Sequence, residues 1–94
     1  MPLPITVYGA TDCDDTERTY AHLRARQIPF REVNIDHAPD AERFVIVVNG
    51  GFRSTPTLIL GEGNLKIILT EPTPAELDQT LTQLGDDLST FFHI

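Results

Sequence analysis

The sequence predicts an α/β fold in which a four-stranded mixed sheet carries helices on both of its faces. Short β-branched segments alternate with segments whose apolar residues recur at helical spacing, in the order β-α-β-α-β-β-α. The first two strands are joined through a helix and should be parallel, whereas the last two are joined by a short turn and should be antiparallel. Ninety-four residues suit one domain, residues 1–94, with a core at about 4–84 and a tail at 85–94.

The first strand and the first helix are separated by a short polar loop. Residues 4–8 are rich in β-branched and aromatic side chains and are followed by Gly9, which indicates a strand. Residues 13–27 predict a helix, because three of the larger side chains recur at helical spacing: Tyr20, Leu23 and Gln27. We expect Asp12 to be the N-cap of this helix and Asp15 to be its capping-box partner.

The second strand and the second helix follow. Residues 30–35 alternate imperfectly between apolar and polar side chains and predict a strand. Pro39 suits the first turn of a helix. The apolar positions after it form a stripe that should face the core: Ala41, Phe44, Val45 and Val48. Gly50 and Gly51 should end this helix by supplying a left-handed cap.

The last third of the chain predicts a hairpin and a final helix. Residues 57–60 and 65–69 have the composition of strands and flank a glycine-rich turn at 61–64. Residues 73–76 form a capping box with proline at the first helical position. The apolar face of the helix contains three leucines: Leu77, Leu81 and Leu84. We expect Gly85 to end it.

Composition argues against two classes of partner. The formal net charge is −7 and only seven Lys and Arg residues are present, so a nucleic-acid partner is not expected. No apolar run approaches the roughly 18 residues of a membrane span, so no membrane partner is expected. One cysteine cannot make an internal disulfide, and the N-terminal residues lack the features of a signal peptide. We therefore expect a reducing, cytoplasmic setting.

The single cysteine, Cys13, lies where such a sheet usually places its chemistry, beyond the carboxyl end of a parallel strand. A helix start lowers the pKa of a thiol, whereas neighbouring carboxylates raise it. Asp12, Asp14 and Asp15 flank the cysteine, and each charge at about 6 Å raises the thiol pKa by roughly 0.5 to 1 unit. We expect the pKa of Cys13 to lie above about 7, which slows exchange without forbidding it.

Two motifs resemble those of glutaredoxins. A strand ending in Tyr-Gly leads to a cysteine at the start of a helix, and Ser54-Thr55-Pro56 resembles the family's Thr-Val-Pro. The stretch FREVNIDHAPDAERFVIVVNGGFRSTPTLIL is most similar to mycoredoxins and related actinobacterial-type glutaredoxin-like proteins. The resemblance covers roughly residues 4–84.

The resemblance implies a thioredoxin fold with strand order 2-1-3-4 and a role in cell redox homeostasis. It implies a cis peptide bond before Pro56, facing Cys13, and thiol–disulfide exchange as the activity. The partner is then a low-molecular-weight thiol or its mixed disulfide with a protein, and no cofactor is bound. Thr16, Thr55 and Thr70 join Pro56 as the candidate substrate-binding residues.

The sequence departs from the family at three places. Residues 13–16 are Cys-Asp-Asp-Thr where Cys-x-x-Cys or Cys-Gly-Phe-Ser is usual, so Thr16 replaces the resolving cysteine. Ala10 stands where glutathione-using members carry a lysine, and residues 70–73 replace their Gly-Gly-x-Asp-like segment. Both usual anchors of the glutathione carboxylates are therefore missing, so a shared iron–sulfur cluster that uses glutathione is not expected either.

Two functions from different classes remain open. In the first, the protein is a monothiol oxidoreductase: Cys13 attacks a mixed disulfide and an external thiol then releases it. In the second, the protein is a redox-inactive binding module of the same fold with an idle Cys13. Arg53 also has two interpretations, since it could bind a substrate carboxylate near Cys13 or neutralise the three aspartates.

Two further features concern metal binding and self-association. The three histidines, His22, His37 and His93, are far apart in the sequence, and Cys13 with its neighbouring aspartates lacks paired ligand spacing, so no metal site is expected. The tail contains four apolar residues, Leu88, Phe91, Phe92 and Ile94, and its adjacent aromatic pair, Phe91 and Phe92, either packs on the domain or forms a homodimer patch.

Overall fold

The computed structural model describes residues 4–92, and only their backbone at position 65 and at positions 85–92. The elements follow the predicted order, with one added 3-10 turn: β1 (Ile5–Gly9), α1 (Asp14–Ala25), β2 (Arg31–Asn34), the 3-10 turn (Ile35–His37), α2 (Pro39–Val48), β3 (Thr57–Glu62), β4 (Leu65–Thr70) and α3 (Pro74–Phe92). None of the helices in this described part is long and apolar enough to cross a membrane.

The four strands form one mixed sheet in the order β2-β1-β3-β4. β1 is parallel to β2 and antiparallel to β3, while β4 is antiparallel to β3. The predicted fold class, strand order and strand directions are therefore confirmed. Because β1 lies between two other strands, the chain that leaves its carboxyl end emerges at the middle of the sheet, and Cys13 follows there.

Helices cover both faces of the sheet, as predicted. The core on one face contains aliphatic side chains from β1, β3, α1 and α3: Ile5, Val7, Leu23, Leu58, Leu60 and Leu77. On the other face, the ring of Tyr8 contacts the ring of Phe44 on α2 at a centroid distance of 5.2 Å. Burial of this apolar layer stabilises the fold and fixes α1, whose first turn carries the site.

The start of α1 differs from the prediction. Cys13, not Asp12, is the N-cap residue, with an extended backbone (φ −108°, ψ 111°) and no side-chain cap. Asp12 has a φ of 56°, in the left-handed region, so it does not have the extended backbone typical of an N-cap. Asp15 pairs with Arg18 at 2.6 Å instead of closing a capping box.

Two strands differ in length from the prediction by two residues each. β2 ends early because the Asn34 side chain accepts a hydrogen bond from the Asp36 backbone N–H at 2.9 Å and opens the 3-10 turn. Ile35, which was predicted in the strand, is buried within that turn. β3 extends to Glu62, so the hairpin turn has only the two residues at 63–64.

The predicted stripe of α2 is only partly buried. Val45 is inaccessible to solvent, whereas Phe44, whose ring packs on Tyr8, is 36% exposed. The predicted glycine cap is confirmed: Gly50 has a φ of 68°, and the Gly51 N–H donates to a carbonyl of the last helical turn at 2.8 Å.

The last helix begins as predicted and ends later. The Thr73 hydroxyl accepts the Glu76 N–H at 3.1 Å, and the Glu76 carboxylate accepts the Thr73 N–H at 3.3 Å, which confirms the capping box. Gly85 does not end α3, because a glycine inside a helix costs only about 1 kcal/mol. The tail side chains considered for packing or dimerisation lie outside the described side chains.

Gln27, just after α1, has a left-handed backbone although it is not glycine. Its φ is 57°. The Ile28 N–H donates to the Leu23 carbonyl and the Gln27 N–H donates to the Arg24 carbonyl, both at 3.0 Å, which is a Schellman ending. The Cβ of Gln27 therefore makes this turn less favourable than glycine would.

Replacing Gln27 with glycine should raise the free energy of unfolding by about 1 kcal/mol, because glycine adopts a positive φ without steric cost. Urea unfolding measures the change. Gln27→Ala is the control, since it shortens the side chain but keeps the Cβ. Equal stabilities of the glycine and alanine variants would contradict the strain assigned to this residue.

Candidate functional site

The end of β1 allows α1 to approach the sheet closely at Gly9. A Cβ added to Gly9 would lie 2.3 Å from Thr16 Cγ2 and 2.8 Å from the Tyr20 hydroxyl oxygen. Any side chain at this position would push the helix away from the strand. Thr16 is 1% exposed, and its hydroxyl accepts the Ala10 N–H at 3.4 Å. Thr16 therefore lies beneath the loop that carries Cys13.

Cys13 lies at the N-terminus of α1, partly exposed, against the loop that precedes β3. Its Sγ is 3.4 Å from the Thr55 hydroxyl oxygen and 3.8 Å from the Thr55 carbonyl oxygen. These two residues are 42 positions apart in the sequence. The structure thus brings Cys13 and Thr55 together, as the family resemblance implies.

The Thr55–Pro56 peptide bond is cis, as predicted. Pro56 is fully buried, and its carbonyl accepts the Glu71 N–H at 2.8 Å. Glu71 has a φ of 47° and follows the last residue of β4. The site therefore forms where three segments meet: the start of α1, the cis-proline loop and the turn before α3.

Hydrogen bonds make the Cys13 thiol more acidic than an ordinary thiol. Burial raises the pKa of Cys13, but hydrogen bonds from the hydroxyls of Thr16 and Thr55 and from the backbone of Thr16 and Asp15 outweigh it and lower the pKa. The contribution of the Cys13 thiol to the free energy of unfolding is therefore fully present at pH values above the pKa that this thiol has in the unfolded chain. It is lost as the pH falls through the lower pKa of the folded chain.

The three aspartates around Cys13 are exposed, and one of them has a partner of its own. Asp15 pairs with Arg18 at 2.6 Å, so its field at the sulfur is partly cancelled. Asp12 and Asp14 flank the cysteine directly. Negative charge beside a thiol raises its pKa, whereas the hydrogen bonds lower it. That the pKa of Cys13 lies above about 7 stays a prediction.

Two residues predicted near the substrate are held by other partners. Arg53 donates to the Asp36 carboxylate and, from Nε, to Glu42 Oε2 at 2.7 Å. Arg53 does not neutralise the aspartates around Cys13, because the 3-10 turn and α2 present these two carboxylates to it. The Thr70 hydroxyl donates to Asn49 Oδ1 at 2.6 Å, which ties the end of β4 to the end of α2.

Asp36 and Thr11 are residues of the site that sequence reasoning missed. The Asp36 carboxylate accepts the Thr11 N–H at 2.8 Å, and Asn34 Nδ2 donates to the Thr11 hydroxyl at 2.9 Å. A signal was available, because the Asn-x-Asp that ends the second strand lies beside the carboxyl end of the first in a parallel pair.

A cavity of about 230 Å³ lies beside the site, between α1 and the turn that leads into α3. Its walls include Thr19, His22 and Pro72. His22 Nε2 is 2.7 Å from Asp78 Oδ1, a contact that joins α1 to α3. Among the described residues, no group of three or more His, Cys, Asp or Glu side chains is placed to hold a metal ion.

Comparison with known sequences defines the class of protein. The family profile described as Glutaredoxin matches residues 5–63. A relative from Mycobacterium tuberculosis, whose name assigns it provisionally to the glutaredoxins, is 34% identical over 81 residues. The match covers 86% of this chain and 93% of that protein.

Two solved structures share the architecture. The glutaredoxin-like NrdH-redoxin of Escherichia coli, described with a thioredoxin-like activity profile, aligns with a TM-score of 0.63 at 26% identity, over 81% of this chain and 92% of that one. Oxidised mitochondrial thioredoxin 3 of Saccharomyces cerevisiae aligns with a TM-score of 0.61 at 20% identity, over 86% and 77%. The chain has the thioredoxin fold. It belongs to the glutaredoxin family.

Replacing Thr16 with valine should raise the pH midpoint of Cys13 alkylation, because valine has a similar shape but lacks the hydroxyl that stabilises the thiolate. We expect a rise of about 0.5 to 1 pH unit, since one hydrogen bond to a charged group contributes on the order of 1 kcal/mol. Iodoacetamide labelling at a series of pH values, read by mass, measures the midpoint at this single cysteine.

Thr19→Val is the matched control for this substitution. Thr19 is also buried on α1, but it does not contribute to the lowered pKa of Cys13. Its replacement should leave the alkylation midpoint unchanged. The same midpoint in Thr16→Val and in the wild type would show that the Thr16 hydroxyl does not stabilise the thiolate.

Proposed function

We propose that the protein is a monothiol thiol–disulfide oxidoreductase of the mycoredoxin type, which acts in the cytoplasm on mixed disulfides of a low-molecular-weight thiol. Cys13 is its catalytic residue. The observation that carries the proposal is the contact of the Cys13 sulfur with Thr55, beside the cis Pro56 and at the start of a helix. Membership of the glutaredoxin family supports the same chemistry.

The proposed reaction needs one cysteine and an external thiol. The Cys13 thiolate attacks the small-thiol sulfur of the mixed disulfide, forms a disulfide with it and expels the protein thiolate, which takes a proton from water. A second molecule of the small thiol, as its thiolate, then attacks the small-thiol sulfur of the adduct. This step forms the symmetrical small disulfide and returns Cys13 as a thiolate.

The residues around the sulfur have distinct roles in this scheme. The hydroxyls of Thr16 and Thr55 stabilise the Cys13 thiolate both when it attacks and when it leaves. The backbone of Thr55 offers an edge along which an extended disulfide substrate can align. The side chains of Arg53 and Thr70 are held by Asp36, Glu42 and Asn49, so in this scheme they position the loops around the sulfur.

The charges of the groove bear on which thiol is used. Arg53, the candidate cation for a substrate carboxylate, is shared between Asp36 and Glu42. Ala10 supplies no charge where glutathione-using relatives carry lysine. Both features support a small thiol with fewer carboxylates than glutathione, because unneutralised carboxylates would meet the aspartates around Cys13.

A redox-inactive binding module is the second candidate. Asp12 and Asp14 favour it, since carboxylates beside a thiol oppose formation of the thiolate. Turnover with a mixed disulfide separates the two candidates, because the binding module would bind a partner without exchanging its sulfur.

The wild type should accelerate release of a peptide thiol from its mixed disulfide with a small thiol, in the presence of that thiol in reduced form. Cys13→Ser should abolish the acceleration, because a serine hydroxyl stays protonated at neutral pH. The assay follows the free peptide by chromatography. Equal rates with wild type, with Cys13→Ser and with no protein would favour the binding module.

Replacing Thr16 with cysteine should allow an internal disulfide to Cys13, because position 16 is one helical turn away and lies beneath the same loop. Mass measured after mild oxidation should show the loss of two hydrogens. Added changes of Asp12, Asp14 and Asp15 to asparagine should give dithiol reductase activity that the wild type lacks.

Thr19→Cys is the matched control, since its position is almost two turns from Cys13 and should not bridge it. A Thr16→Cys variant that stays reduced would contradict the contact between residues 13 and 16. A variant that bridges but reduces no substrate would favour the binding module.

A further inference from the structure

A charged network joins the two loops between which the Cys13 sulfur lies. The loop before α1 is held at Thr11, two residues before Cys13. The Thr11 N–H donates to Oδ2 of Asp36 at 2.8 Å, and its hydroxyl accepts from Asn34 Nδ2 at 2.9 Å. The end of β2 and the 3-10 turn therefore fix this loop from the side.

The same carboxylate holds the opposite loop. Arg53, two residues before Thr55, donates from its guanidinium to Oδ1 of Asp36, while its Nε donates to Glu42 Oε2 at 2.7 Å. The two oxygens of Asp36 are thus divided between the two loops. The Asp36 side chain therefore links the loop before α1 to the loop before β3, and these two loops lie on either side of Cys13.

Asp36 is itself well fixed in the fold. Its backbone N–H donates to Asn34 Oδ1 at 2.9 Å, in the turn that follows β2. Hydrogen bonds from the Thr11 N–H and from Arg53 lower the pKa of its carboxyl, so the carboxylate stays charged at neutral pH. A charged acceptor makes both contacts stronger than a neutral one would.

We propose that Asp36 is a positioning residue. It holds the loop before α1 and the loop before β3 at the separation that keeps the Thr55 hydroxyl in contact with the Cys13 sulfur. It acts through Thr11 and Arg53. The effect on exchange rests on the proposed function, but the effect on the thiol can be measured whether or not the protein turns over a substrate.

Loss of the Asp36 carboxylate has two effects of opposite sign on the thiol. Removal of a nearby negative charge lowers the pKa of a thiol, whereas loss of a hydroxyl donor raises it. The charged groups that face Asp36 are Arg53 and, behind it, Glu42. The substitution leaves in place the aspartates that flank Cys13 in the sequence. A positioning role therefore predicts a rise, and a purely electrostatic role predicts a fall.

The test measures the pH midpoint of iodoacetamide alkylation of Cys13 in Asp36→Ala and Asp36→Asn. We expect a rise of about half a pH unit or more in Asp36→Ala. Asp36→Asn keeps the size of the side chain and one weak acceptor, so it should show a smaller rise. Asp40→Ala is the matched control, because it removes the same charge from a neighbouring site whose side chain is 98% exposed.

Two further measurements distinguish a positioning role of Asp36 from a general loss of stability in its variants. Urea unfolding establishes that each variant is folded, and Asp36→Asn serves if Asp36→Ala does not fold. Hydrogen exchange of the Thr11 amide should become faster than in the wild type in both Asp36 variants and keep the wild-type rate in Asp40→Ala. These readings support the proposal when they accompany the raised midpoint.

The proposal is overturned if a folded Asp36 variant has an unchanged or lowered midpoint. It is also overturned if Asp40→Ala gives the same rise, since that would assign the effect to net charge. A raised midpoint in a protein that shows no disulfide exchange would support the positioning role and reject the proposed function. Normal disulfide exchange with an unchanged alkylation midpoint would support the proposed function and reject the positioning role.

Discussion

The close contact of α1 with the end of β1 at Gly9 determines where the Cys13 sulfur lies. With no side chain at Gly9, Thr16 and Tyr20 approach the strand to distances that a Cβ would forbid. The first turn of α1 therefore packs against the end of β1, where the Thr16 hydroxyl accepts the Ala10 N–H and lowers the pKa of the Cys13 thiol. The helix packing that builds the core therefore also sets the surroundings of the thiol.

The loop on the other side of the Cys13 sulfur consists of residues that are far from Cys13 in the sequence. Thr55 is 42 positions from Cys13, and it reaches the sulfur because the cis-proline loop is held from two sides. Glu71 holds it through the Pro56 carbonyl, and Asp36 holds it through Arg53. A thiol with aspartates on both sides in sequence thus acquires hydrogen-bond donors that only the folded chain can supply.

The sequence predicts the elements set by local rules and misses those set by distant contacts. The order of strands and helices follows from periodicity, and the capping box of α3 follows from spacing, because both depend on neighbouring residues. The N-cap at Asp12 is wrong, since the loop gives that residue a left-handed backbone instead. The position of Asp36 just after the second strand indicates that it lies near the site, but its contacts with Thr11 and Arg53 are not predicted, because these partners are 25 and 17 positions away.

Folding makes the Cys13 thiol more acidic despite the carboxylates beside it. The most direct test is an ultraviolet absorbance titration of the thiolate in the wild-type chain, folded in buffer and unfolded in urea. A midpoint at lower pH in the folded chain is the expected result, because the unfolded chain keeps the aspartates but loses the donors from Thr16 and Thr55. A folded midpoint equal to or above the unfolded one would contradict the account.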